Sequence, residues 1–123
     1  MVDREPADLV PLSQSVFHIL LALVDGEKHG YGIRLEIEER TDGQVRLGPG
    51  TLYGAIKRLL EQGLIEEVDD RSVPELNDER RRYYRLTDFG LHVTQAEAQR
   101  LEELVRQVQL KQMLPHLDAG GTL

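Results

Sequence analysis

Leu47 to Glu67 reads LGPGTLYGAIKRLLEQGLIEE. Proline at position 49 suits the first turn of a helix. From there Leu52, Ile56, Leu59 and Leu60 recur at i, i+4, i+7 and i+8, a buried stripe of helical period. Gly63 stands where a glycine ends a helix, and Leu64 to Val68, LIEEV, partly alternates as a strand does. At 3.6 residues per turn the stripe sends Gly50, Gly54, Lys57, Arg58 and Glu61 outward, with Thr51 and Tyr53 flanking. An exposed mid-helix glycine costs up to about 1 kcal/mol relative to alanine, so Gly54 points to close approach by another surface. The start of such a helix offers free N–H groups to a phosphate, and Thr51 and Tyr53 add hydroxyl donors. An ordinary amphipathic surface helix with a tolerated glycine would carry the same pattern.

Towards the N-terminus, the turn signal Thr41-Asp42-Gly43 closes a helix over YGIRLEIEER, where Tyr31 pairs with Leu35 and Ile33 with Ile37, four apart. Residues Gln44 to Leu47 read as a short extended segment, and GEKHGYG as a glycine-rich turn. Before it, Val16 to Val24 is apolar on most sides and follows Ser13, an acceptable N-cap, so this is a central, mostly buried helix. Residues 1–11 lack periodicity and read as an arm without an element.

Towards the C-terminus, Asp69 to Glu79 is polar with one proline, and RRRYYRL, Arg80 to Leu86, reads as a second strand, giving a hairpin with a long tip. Alternation sends Arg81, Tyr83 and Arg85 to one face and Arg82, Tyr84 and Leu86 to the other. The arginines suit a phosphate backbone; the bland alternative is an edge strand kept basic against sheet addition. Glu66, Glu67, Asp69, Asp70, Asp78 and Glu79 stand near enough in sequence to neutralise some of them. Thr87 caps a last helix expected from Asp88 to Met113, roughly 36 to 39 Å long at 1.5 Å per residue. On it Leu101, Leu104, Val105 and Val108 form a narrow stripe at i, i+3, i+4 and i+7. A helix that outreaches its own body with such a stripe implies a partner helix, although folding back onto Val16 to Val24 is the alternative. The tail PHLDAGGTL breaks the helix.

The fold class expected is mainly α with a small β-hairpin. Residues 1–11 form the arm, 12–87 a winged helix-turn-helix domain, 88–114 a long dimerisation helix and 115–123 a loose tail. In that layout the third helix lies in a DNA groove and the hairpin touches the adjacent backbone.

Composition removes most other classes. The chain has 123 residues and no cysteine, which excludes disulfides, thiolate metal sites and thiol catalysis. The four histidines, His18, His29, His92 and His116, are scattered with no HxxxH or HExxH pair, so neither a metal nor a cofactor is expected. Ser13 and Ser15 are explained by capping, Ser72 has no base beside it, and no paired carboxylates line an evident pocket, so an enzyme is not expected. The Val16 to Val24 stretch is half the roughly 20 residues a membrane span needs, and MVDREPAD is unlike a signal peptide; a cytoplasmic location follows as the expectation.

Three segments carry a resemblance: HGYGI (His29 to Ile33), LGPGTLYGAIKRLLEQGLIEE (Leu47 to Glu67) and ERRRYYRLTDFG (Glu79 to Gly90). In that order they resemble PadR-family transcriptional regulators, over about Leu12 to Val108, and the single C-terminal helix is similar to that of the compact subgroup. The resemblance implies a dimeric winged-helix repressor that binds a roughly palindromic operator on double-stranded DNA and releases it on a small-molecule effector or other signal. It implies that the GTLY helix enters the major groove with Thr51, Tyr53 and Lys57 leading, Gly54 and Arg58 beside them, and that Arg80, Arg81 and Arg82 follow the backbone or the minor groove. With 5% aromatic residues and no Trp, an aromatic drug-binding pore is not expected.

The formal net charge of −7 argues the other way, towards a winged-helix protein-interaction module without specific DNA binding. That average covers unlike parts. Residues 46–58 carry Arg46, Lys57 and Arg58 without an acid, and 80–85 carry four arginines without one. An acidic chain of this kind should bind non-specific DNA weakly and depend on the placement of a few cations.

Overall fold

A computed structural model describes residues 4–69 and 82–114. Each helix starts where a side chain or proline satisfies its first turn. Ser13 Oγ accepts the Val16 N–H (3.2 Å) at the head of α1 (Gln14–Val24). His29 Nδ1 accepts the Gly32 N–H (2.9 Å) at the head of α2 (Gly30–Arg40). Pro49 opens α3 (Pro49–Glu61). Thr87 Oγ1 accepts the Gly90 N–H (2.9 Å) at the head of α4 (Asp88–Leu110). Gly63, at φ +76°, closes α3 in the left-handed region that favours glycine, with the Leu64 N–H returning to Leu59 O (3.0 Å).

The described sheet has three antiparallel strands in the order β1 (Lys28–His29), β3 (Arg82–Leu86), β2 (Ile65–Asp69). Ile65 opposes Leu86 and Val68 opposes Tyr83, while Lys28 and His29 oppose Tyr84 and Tyr83. The core is one cluster: Ile19, Leu20 and Leu23 of α1, Ile33 and Ile37 of α2, Leu52, Ile56 and Leu59 of α3, Leu64, Ile65 and Tyr84 of the sheet region, and Val93 of α4. Among the described residues, four helices and a small three-stranded antiparallel sheet thus form a winged helix-turn-helix body extended by a long helix.

Several expectations change in detail. The first strand comes from Lys28 and His29, inside the stretch read as a turn, and residues 44–47 form no strand, although Leu47 is buried. Where no element was expected before Leu12, Pro6–Leu9 makes one turn of 3-10 helix against α4. Arg4 donates to Gln62 O (2.6 Å) at the end of α3 and lies 4.8 Å from the centre of the Phe89 ring in α4, which ties this segment down. The last helix ends at Leu110, giving 23 residues and roughly 34 Å. On α2, Ile33 and Ile37 are buried but Tyr31 and Leu35 face solvent.

Candidate nucleic-acid interface

With Leu52, Ala55, Ile56 and Leu59 packed inward, α3 turns Thr51, Tyr53, Lys57 and Arg58 to solvent, with Gly54 between them. Among the described residues neither Lys57 nor Arg58 has an acidic partner, and Arg46 has none either. A methyl group at Gly54 would meet only the Arg58 guanidinium, at 3.7 Å. Nothing among the described residues therefore requires glycine there. The face is a shallow cationic strip with a bare centre.

Tyr53 is half exposed, but its tip is not free. Its phenol lies over Gly30, the first residue of α2, where a Cβ would collide with the ring. His29, which caps the same helix turn, stands edge-on to Tyr83 of β3 with ring centres 5.4 Å apart, and its centre is 6.4 Å from that of Tyr31. The sequence segment HGYG thus supplies the junction at which α3, α2 and the sheet meet.

The hairpin is less cationic than its sequence. Tyr84 and Leu86 face the core, so Tyr83 and Arg85 share the outer face and Arg82 is exposed nearer the tip. Arg85 pairs with Glu66 (3.0 Å) and Arg82 with Glu67 (3.5 Å), each pair half exposed and so worth roughly 0 to 1 kcal/mol. Such weak pairs can open to a phosphate. Arg80 and Arg81 lie outside the described residues, as does most of the expected hairpin tip.

On α4 the proximal face is covered at home: Gly90, Val93, Thr94 and Glu97 are buried. The same face continues through Leu101 and Val108, half buried, and Leu104 and Val105, 45% and 37% exposed. Beyond them Leu110, Met113 and Leu114 are exposed as well.

Glu97, an acid on α4, is buried. Its Oε1 accepts the Leu12 N–H (3.2 Å), and Arg100 grips both carboxylate oxygens (2.9 and 2.6 Å). The Arg100 hydrogen bonds, helped by the Leu12 amide, hold its carboxyl below the ordinary glutamate value in spite of burial. His18 meets the Arg40 guanidinium at 2.9 Å; burial first, and then that positive charge, push its imidazole below the usual value. Among the described residues no group of three or more His, Asp or Glu could hold a metal ion, and no helix is long and apolar enough to cross a membrane.

The chain is similar to known regulators through this whole region. The profile of the transcriptional regulator PadR-like family matches residues 19–96, from α1 into α4. The transcriptional regulator Rv3488 of Mycobacterium tuberculosis is 35% identical over 91 residues, 74% of this chain and 78% of that protein. An uncharacterized 37.1 kDa protein in transposon TN4556 of Streptomyces fradiae is 37% identical over 86 residues, 70% of this chain; the match spans only 22% of that protein's length. The solved structure of a transcriptional regulator from Clostridium thermocellum superposes with a TM-score of 0.65 at 29% identity, covering 80% of this chain and 92% of that one. Motifs, fold and relatives agree, and the chain belongs to the PadR-like family of transcriptional regulators.

Proposed function

We propose that this protein is a sequence-specific DNA-binding regulator that acts in the cytoplasm as a homodimer, with α3 of each subunit entering the major groove of one half of a roughly palindromic operator. The observation that carries this reading is the outer face of α3, where Lys57 and Arg58 have no acidic partner among the described residues and flank an uncovered Gly54. Unpaired cations displace counterions from a phosphate backbone, and a bare helix centre admits the groove wall. Thr51 and Tyr53 lead into the groove, and Arg80, Arg81 and Arg82 follow the backbone. The exposed continuation of the α4 stripe, Leu101, Leu104, Val105 and Val108, supports a two-fold pair whose α3 helices fall about one turn of DNA apart or a multiple of it. The output is repression, relieved by a small molecule or another signal.

The test is a fluorescence anisotropy titration against duplexes selected from a random pool, repeated across salt concentrations. Lys57→Ala is expected to lower affinity across all sequences and to reduce the slope of log affinity against log salt by about 1. Unchanged affinity and slope would remove Lys57 from the interface. The Arg82–Glu67 and Arg85–Glu66 pairs, together with the net charge of −7, favour a second reading, a protein-interaction module. Absence of sequence-preferring DNA binding even at low salt would decide for it.

A further inference from the structure

Gly30 stands at the first position of α2, is buried and has ordinary helical backbone, so no left-handed conformation explains a glycine there. The explanation is the ring above it. A Cβ at Gly30 would stand 2.7 and 2.8 Å from Cζ and Cε1 of Tyr53, and closer still to the phenol oxygen. Gly32, two residues further, is filled less tightly: a Cβ there would lie 3.3 Å from Cε1 of His29. The first turn of α2 is thus stripped of side chains where two rings rest on it. One ring comes from α3; the other, His29, is braced against Tyr83 of β3.

We propose that Gly30 is a positioning residue for DNA recognition: by lacking a Cβ it seats Tyr53 against α2 and fixes how that side chain meets the groove. The proposal rests on the reading of α3 as the helix that enters DNA. Tyr53 is half exposed and projects from the DNA-facing side of α3, so without a seat its ring would sample several rotamers. Ordering it only on binding would cost side-chain entropy at the interface, and the seat removes part of that cost beforehand. The colliding atoms are the far end of one side chain and not backbone. A methyl group at Gly30 therefore displaces the ring and leaves the fold standing.

The experiment uses the full chain, a duplex recovered from a random pool by the native protein, and a scrambled duplex of the same length and composition. Gly30→Ala is expected to keep a melting temperature within a few degrees of native, to lose about tenfold in affinity for the selected duplex, and to bind the scrambled duplex unchanged. Tyr53→Ala should lose as much discrimination, and Gly30→Ala in the Tyr53→Ala background should add nothing, because the collision is gone. Should Gly30→Ala alone fail to fold, the double variant must fold and bind as Tyr53→Ala does; its failure overturns the seat. Equal losses on both duplexes, or native discrimination by Gly30→Ala, also overturn it while leaving α3 as the reading helix. If the native protein recovers no preferred sequence, the DNA reading fails, and the positioning role with it.

Discussion

Replacing Gly90 with alanine sets the backbone of one element against that of another, and its cost follows from a few contacts. Gly90 lies in the first turn of α4, directly on the Leu64 peptide that leads into β2; a Cβ would collide with the Leu64 carbonyl oxygen and stand 2.8 Å from its carbon. That same oxygen accepts the Thr87 N–H (3.1 Å), and Thr87 Oγ1 donates to Gly63 O (2.6 Å), so the head of α4 cannot lift without parting from the turn after α3. Overpacking of this kind costs about 1 to 3 kcal/mol, and a weakened Thr87–Leu64 hydrogen bond adds roughly 1 kcal/mol. The better helix propensity of alanine returns at most about 1 kcal/mol. The net is a loss of about 1 to 3 kcal/mol. At roughly 4 °C per kcal/mol for a domain of this size, thermal unfolding followed by circular dichroism should show a midpoint about 4 to 12 °C lower. A midpoint equal to or above the native one would refute the close backbone approach and the account of how α4 is joined to the body.

Gly54→Ala is the opposite case: with only Arg58 within reach of the new methyl, it should raise the midpoint by a few degrees while weakening binding to the selected duplex, and tighter binding would contradict a groove wall at that position. The Glu97 carboxyl is held below its ordinary value, so its contribution is full above about pH 4.3 and is lost as pH falls through the lowered value. Accordingly, the gap in melting temperature between native protein and Glu97→Gln should be widest near pH 6 and narrow towards pH 3; a gap that widens with acid would reverse the assignment. Leu104→Glu combined with Val105→Glu should halve the mass measured by sedimentation without lowering helix content, because both side chains are exposed in the single chain. A dimer that survives this pair places the interface elsewhere.

What could be read in the sequence was whatever repeats over several residues. The period of Leu52, Ile56 and Leu59 gave α3 and its inner face directly, and Gly63 and Thr87 marked ends that their hydrogen bonds confirm. Leu60, the fourth member of that stripe, is only half buried because it sits in the last turn. Features made by distant partners left no such trace. Lys28 and His29 are too short a strand to alternate and become one only because β3 has an open edge beside them. Glu97 looks like any helix-surface acid until the Leu12 amide, 85 residues earlier, is brought against it. Among the glycines, Gly30, Gly54 and Gly90 look alike in the chain, yet a Cβ would meet a ring at the first, only the tip of Arg58 at the second and a carbonyl at the third. The outward positions of α3 were legible because they are what remains once the buried stripe is drawn; the junction that holds Tyr53 was not.

The docking of the N-terminal segment bears on the order in which the molecule is made. Arg4 reaches Gln62 and Phe89, and the Leu12 amide reaches Glu97, so a segment made before α1 completes its contacts only with one made after β3. During synthesis α1 to α3 can meet early through contacts of modest sequence separation, while the face that Pro6–Leu9 and α4 cover stays open until α4 emerges. A nascent chain stalled before residue 88 would therefore display the helices of the winged-helix body without the pieces that close it, and protease protection of stalled chains should rise steeply only once α4 is released.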